Sequence, residues 1–321
     1  MVENYGLPYT GSKSKIAHWV IDNLPRGRVL IDAFAGGCSI THRALLSKKW
    51  MTIIANDINF KYPQLFLDAV RGKYRDERRW ISREDFERLK AKDAMVACCW
   101  SFSNNLKDYT YSRSIEPYKM ALHYAIVLDD FAPMQELMPE VARAITEALL
   151  GQKKLHDRRI TAQNVIVKTL KRLTGDNYAH QIIQSNPLYQ SIRHSNNDAH
   201  RLQSLEALER LQNLQSLKSL ERLRVTSLSY DEIDIPDDAV VYCDPPYHAC
   251  RGHLYEGTAD AFDHCTFYDW CVRVSKTNPI FISEYSIEDD RFEIVAEKQK
   301  MTCLSSVKSF NVTERLYTVK K

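Results

Sequence analysis

An α/β fold, with a doubly wound and mostly parallel sheet interrupted by a mainly helical insertion, is predicted by three observations. Short apolar runs at Val29-Leu30-Ile31, Thr52-Ile53-Ile54-Ala55 and Ala239-Val240-Val241-Tyr242-Cys243 each lead into an acidic residue: Asp32, Asp57 and Asp244. A Gly36-Gly37 turn joins the first run to a helical pattern. Residues 61–224 then carry a mainly helical pattern before the third run begins. Continuous apolar runs alternating with helical stretches are what parallel strands buried on both faces require. A catalytic domain split over residues 1–60 and 225–321, with an inserted region at 61–224, is expected.

Composition narrows the class. The chain has 321 residues, of which 44% are hydrophobic and 26% charged, with a net charge of +3. These are ordinary values for a globular chain. No apolar run reaches the length of a membrane span, and the N-terminus lacks a signal-peptide pattern. Eight cysteines in a chain this long do not resemble a disulfide framework. A cytoplasmic protein is expected, with no membrane partner.

The first element is a loop, Tyr5 to Lys15, that carries Tyr9, Gly11, Ser12 and Lys13. A helix is expected after it, because Ile16, Trp19, Val20 and Leu24 recur at helical spacing. Ser12 or Ser14 can cap it, and Pro25 and Gly27 end it. The first strand closes on Asp32. Phe34, Ala35, Gly36 and Gly37 turn the chain, and Ser39 opens the next helix. Two glycines allow a tight turn and a close backbone approach to a ligand. The turn is neither G-x-G-x-x-G nor a P-loop, so a pyrophosphate ligand is not expected. Asn56-Asp57-Ile58-Asn59 ends the second strand, and Asp57 stands 25 residues after Asp32. That place, at the end of the strand after a Gly turn, is where a carboxylate holds a ribose diol.

Asp244-Pro245-Pro246-Tyr247 follows the third run. Each proline fixes its φ and lacks an N–H, so a central strand cannot continue through them. A carboxylate, free carbonyls and a flat aromatic face at a strand end suit a planar base that bears an amino group.

Together these segments resemble the adenine-specific DNA methyltransferases of the Dam type. The family has an aromatic-x-Gly-Gly/Ser-Lys loop, here Tyr9-Thr10-Gly11-Ser12-Lys13. It has a D-x-F-x-G-x-G-like turn, here Asp32 to Ser39. N-D-x-N is Asn56-Asp57-Ile58-Asn59, and D-P-P-Y is Asp244 to Tyr247. The order is the family's, with a long insertion before the last motif. Glu314 to Val319 resembles the family's closing strand.

The resemblance implies the Rossmann-like sheet of S-adenosylmethionine methyltransferases. It implies S-adenosylmethionine as donor, S-adenosylhomocysteine as product and a bacterial or phage-encoded setting. Asp244, Pro245, Pro246 and Tyr247 are the expected catalytic set. Tyr9, Lys13, Asp32, Phe34, Ala35, Gly36, Gly37, Ser39, Asp57, Ile58 and Asp244 are the expected donor-site residues. Asp32 is expected either to orient the turn or to meet the donor's ammonium. Tyr9 and Lys13 border either its methionine end or its adenine.

Double-stranded DNA is the expected partner, with a restriction endonuclease as a counterpart; oligomeric state is open. Residues 151–200 hold eight Lys/Arg and three Asp/Glu, a balance that suits phosphate contact. Lys153, Lys154, Arg158, Arg159, Lys171 and Arg172 are the candidates. Asn104, Asn105, Lys107 and Tyr109 belong to a stretch where amides and aromatics interleave, suited to reading a base or filling the gap a flipped one leaves. Cys243, His248, Cys250, His253, His264, Cys265 and Cys271 match no zinc spacing, and no metal is expected. Leu202 to Leu223 repeats leucine every third residue, a stripe that drifts around an α-helix.

Three other readings remain. An N4-cytosine enzyme uses the same amino-group chemistry but favours Ser at the position of Asp244. Glutamine methylation tends to use Asn there. A non-catalytic DNA-binding relic of the fold would not need Asp57 and Asp244 together.

Overall fold

The computed structural model describes residues 4–174, 202–217, 220–247, 262–305 and 308–321. The chain divides into two compact units, one of Met1–Lys73 with Leu214–Lys321 and one of Tyr74–Asn213. The division falls one helix later than the boundary expected at 60/61, and within the leucine repeat rather than after it.

The first unit is a seven-stranded sheet in the order β3-β2-β1-β4-β5-β7-β6. Its strands are β1 (Val29–Asp32), β2 (Thr52–Asn56), β3 (Leu223–Thr226), β4 (Ala239–Cys243), β5 (Ile280–Glu284), β6 (Phe292–Ser305) and β7 (Lys308–Val319). The first five in space are parallel neighbours, and β7 runs antiparallel to both β5 and β6. This is a mostly parallel, Rossmann-like arrangement. The strands β1, β4 and β5 are buried at every position, which is why they read as unbroken apolar runs. Val29, Ile31, Val241, Cys243, Ile280 and Ile282 face Phe267, Trp270 and Cys271 of the helix His264–Val274. Leu30, Val240 and Tyr242 alternate to the opposite face and are equally buried.

The chain winds outward from β1 to β2 and β3 on one side, and through β4 to β5 on the other. The strand order therefore reverses between β1 and β4, and the carboxyl ends at that reversal border the crevice where such sheets bind ligands. The register sets Asp32 beside Tyr242, two residues before Asp244. Asn56 binds the neighbouring strands together. Its amide donates to Ala33 O and Leu228 O, and its carbonyl accepts from Leu228 N and Thr226 Oγ1.

Helices α1 (Ala17–Asn23), α2 (Ser39–Ser47) and α3 (Lys61–Val70) belong to this unit. Ser12 caps a 3₁₀ turn at Lys13–Lys15 rather than α1 itself, accepting from Ser14 N.

The second unit is helical: α4 (Arg83–Leu89), α5 (Ala94–Trp100), α6 (Glu116–His123), α7 (Ala132–Leu137), α8 (Pro139–Leu149), α9 (Leu155–Thr174) and α10 (Gln203–Asn213). The leucine repeat is divided among three kinds of backbone. Leu205, Leu208 and Leu211 are buried on α10, Leu214 lies in a 3₁₀ turn, and Leu223 opens β3. A period of three thus never has to hold one face along a single long helix. No helix among the described residues is long and apolar enough to cross a membrane.

Candidate active site

The N-terminal loop closes over the glycine turn. Leu7 N donates to Gly37 O at 2.7 Å, and Gly6 N donates to His42 Nδ1 at 2.9 Å. A Cβ on Gly6, whose φ is +71°, would stand 2.3 Å from Gly37 O; one on Gly37 would stand 2.7 Å from Tyr9 Cβ. These glycines are required by the chain's own loop. Ser39 is drawn into the same closure: its hydroxyl donates to Tyr5 O at 3.1 Å and lies 2.6 Å from Ser12 Oγ. Buried and so engaged, Ser39 secures the loop. Ala35 is buried, with its N–H on Asn56 O. Phe34 stacks on Tyr230 and meets Phe262 and Phe267 edge-on. It packs within that aromatic cluster.

Asp57 sits beside the turn. One carboxylate oxygen accepts from Gly36 N and the other from Asn59 N, both at 2.8 Å. Burial raises its pKa, partly offset by those two bonds. Ile58, Phe60 and Leu228 are exposed apolar side chains in the adjoining segments, and Ser227 Oγ reaches Ile58 O at 3.5 Å. A half-buried carboxylate with an apolar lip fits a ligand made of a ribose and a flat ring. Tyr9, packed edge-on against Tyr62 at 4.9 Å, borders the same turn.

Asp32 is buried. Its Oδ2 accepts from Thr41 N at 3.1 Å and Thr41 Oγ1 at 2.7 Å, and its Oδ1 has no hydrogen-bond partner among the described residues. Through Thr41 it ties the end of β1 to α2. Burial, and then the nearby Asp244 and Asp57 carboxylates, push its pKa up to about 7 against the Thr41 bonds. A carboxyl that binds its proton more tightly folded than unfolded favours the fold fully at low pH. That contribution is lost as pH rises from the unfolded value of 3.8 to about 7. Asp32→Asn is therefore expected to flatten the decline in stability, by about 3 kcal/mol between pH 5 and pH 8. Chemical denaturation of both proteins at pH 5 and pH 8 measures it.

At the end of β4, Asp244 meets Lys13: the ammonium lies 2.8 Å from Asp244 Oδ1. The same ammonium is 4.3 Å above the Tyr247 ring and 3.6 Å from Glu314 Oε1. The Tyr247 hydroxyl donates to Glu314, and its ring meets Tyr285 at 4.7 Å and 90°. Burial, with the Asp244 and Glu314 carboxylates beside it, holds the Tyr247 phenol well above its usual pKa, so it remains a donor. Pro245 is buried and Pro246 half-buried. The Cys243 thiol is raised well above its usual pKa, first by burial, and is no thiolate nucleophile. Glu314 was absent from the residues singled out in sequence. Its only signal was its position in the closing-strand segment.

The residues expected to meet DNA differ in exposure. Arg158 is buried and donates to Ile126 O, Ala125 O, Gln152 O and Asp129. Arg159 is buried against Glu206 and Glu209, at 2.9 and 3.0 Å. Both guanidinium groups bind within the helical unit. Arg158→Ala is expected to destabilise by about 3 kcal/mol, since it leaves three carbonyl oxygens without their charged donor; a thermal unfolding scan tests this. Tyr109 is also buried, with its hydroxyl on Ile81 O at 2.8 Å. Asn104 donates to Cys98 O, and Asn105 donates to Asp108. They shape a loop in which Ser103, Asn104 and Leu106 have positive φ. Its Phe102 is exposed and Lys107 half-buried. Lys153, Lys154 and Arg172 are exposed. The side chain of Lys171, together with Arg193, His248, Cys250 and His253, lies outside the described residues. Among those described, no group of three or more His, Cys, Asp or Glu could hold a metal.

The glycine turn, Asp57 and the helical unit's first part fall within one family match. Residues 9–127 carry the signature of the D12 class N6 adenine-specific DNA methyltransferases. The resemblance to the Dam type is supported by it. A second similarity is to the Type II methyltransferase M2.HphI of Haemophilus parahaemolyticus, 45% identical over 64 residues. That stretch covers 19% of this chain and 18% of the relative. The D12 class match ends before Asp244, so Asp244, Tyr247 and Glu314 are known by their residues and geometry.

Proposed function

We propose that the chain is a site-specific DNA adenine methyltransferase, moving the methyl group of S-adenosylmethionine to the exocyclic N6 of an adenine flipped out of duplex DNA. The observation that carries the reading is the cluster at the β1/β4 reversal: Asp244 at the strand end, Tyr247 beside it, Lys13 between them. The D12 class match over residues 9–127 supports it.

Bound S-adenosylmethionine supplies a methyl already activated on a sulfonium. Asp57, already bound by Gly36 N and Asn59 N, would hold the donor's ribose hydroxyls, with Ile58 and the Gly36-Gly37 turn beside it. The acidic residues Asp57, Asp244 and Glu314, the last two paired with Lys13, suit a cationic donor. The target nitrogen is a poor nucleophile because its lone pair is delocalised into the ring. Asp244 and the Pro245 carbonyl accept its two hydrogens and draw it toward tetrahedral geometry, and Tyr247 stacks on the ring. The protein's work is positioning and electrostatics. Flipping the base costs a few kcal/mol, met by contacts to the duplex.

Of the cations expected at phosphates, Lys153, Lys154 and Arg172 are exposed and, with Lys171, are proposed for that contact. Lys153→Ala with Lys154→Ala is expected to lower the slope of log affinity against log salt by about 2 and to weaken binding to all sequences alike; titrations at several salt concentrations test it. A restriction endonuclease counterpart belongs to the same reading. The test of the activity is transfer from radiolabelled S-adenosylmethionine to plasmid DNA, followed by nucleoside analysis. N6-methyladenine is expected. N4-methylcytosine alone, or tight binding without transfer, would sink the reading.

A further inference from the structure

We infer that Glu314 is a positioning residue of the transfer site, serving as the second anionic seat for Lys13; this rests on the methyltransferase reading above. Glu314 stands on β7, is fully buried, and pairs in register with Lys298 of β6. A carboxylate at a core-facing strand position is costly unless charge and hydrogen bonds meet it. Here they come from the two ends of the candidate site, the Tyr247 hydroxyl and the Lys13 ammonium. One oxygen, Oε1, faces both.

The arrangement resolves a conflict. An incoming amino group needs acceptor positions on Asp244, and Lys13 lies 2.8 Å from one of its oxygens. Lys13 is also 3.6 Å from Glu314 and rests over the Tyr247 ring. A shift of about 1 Å, small for a flexible four-carbon stem, moves the ammonium from one carboxylate to the other. It keeps an anionic partner and the aromatic face throughout. Lys13 then no longer competes for Asp244 Oδ1, while the hydroxyl bond to Glu314 and the edge of Tyr285 hold the Tyr247 ring still. No proton changes hands.

The test measures kcat and the KM for S-adenosylmethionine on plasmid DNA. Glu314→Gln removes the second seat and leaves Lys13 on Asp244. It is expected to lower kcat about 50-fold with the donor KM within about twofold. Adding Lys13→Met to Glu314→Gln is expected to restore at least about fivefold, because the competitor for Asp244 is gone. Glu314→Asp keeps the buried charge but withdraws it from Lys13, and is expected to lower kcat about tenfold; it carries the test if the glutamine variant fails to fold. An unchanged kcat in either single variant overturns the inference, as does a double variant worse than Glu314→Gln alone, which is what a merely structural Glu314 would give. If the wild-type chain forms no N6-methyladenine, the methyltransferase reading itself fails, and this inference with it.

Discussion

Asp244→Ala is expected to lower kcat by at least about 10³-fold while leaving duplex DNA affinity within about threefold. The carboxylate is the acceptor best placed at the β4 end, and the Pro245 carbonyl alone cannot orient both hydrogens of an amino group. The variant should still fold. Lys13, deprived of Asp244, keeps Glu314 at 3.6 Å and the face of Tyr247, so no buried cation is abandoned. Asp244→Asn keeps one acceptor oxygen and should lose less, about 10²-fold. Single-turnover transfer separates chemistry from product release, and filter binding or anisotropy gives the DNA affinity. Transfer by Asp244→Ala within tenfold of the wild type would remove the carboxylate from the mechanism.

Asp57→Ala is expected to weaken S-adenosylmethionine binding about 100-fold, with little change in kcat at saturating donor. Two effects combine. The ribose loses charged acceptors, each bond to a charged group contributing about 1.5–3 kcal/mol. The Gly36 N–H also loses its partner at 2.8 Å, so the turn beneath the donor loosens. Isothermal titration gives the affinity. Since burial raises the Asp57 pKa, the wild-type affinity should climb as pH rises through that value and the carboxylate ionises; Asp57→Ala should lose that climb. An unchanged donor affinity would move the ribose site elsewhere.

The strand ends were legible in the sequence because each apolar run stops at a residue of opposite character. Asp32, Asp57 and Asp244 mark the carboxyl edge of three adjacent strands, and the register of β1 with β4 brings the first and last together. The glycine turn was legible as a turn but not in its cause. Gly6 and Gly37 are small because the N-terminal loop lies on them, a contact between segments that no local pattern announces.

Charge was the least informative signal. Arg158 and Arg159 look the same in sequence as Lys153 and Lys154, yet the first pair meets carbonyls and carboxylates inside a helical unit, and the second faces water. Tyr109 likewise gives no sign in sequence that its hydroxyl bonds Ile81 O. Glu314 is the converse, an acidic residue in an ordinary strand whose importance comes from Lys13 and Tyr247, both far away in the chain. The leucine repeat suggested one element; its backbone changes from α to 3₁₀ to strand along its length.

The most direct test of the central claim is single-molecule sequencing of DNA from cells that lack adenine methylation of their own and express either this chain or its Asp244→Ala variant. The account predicts N6-methyladenine at one recurring sequence with the wild-type chain and none with the variant. Unmodified adenine in both, or equal methylation in both, would contradict it.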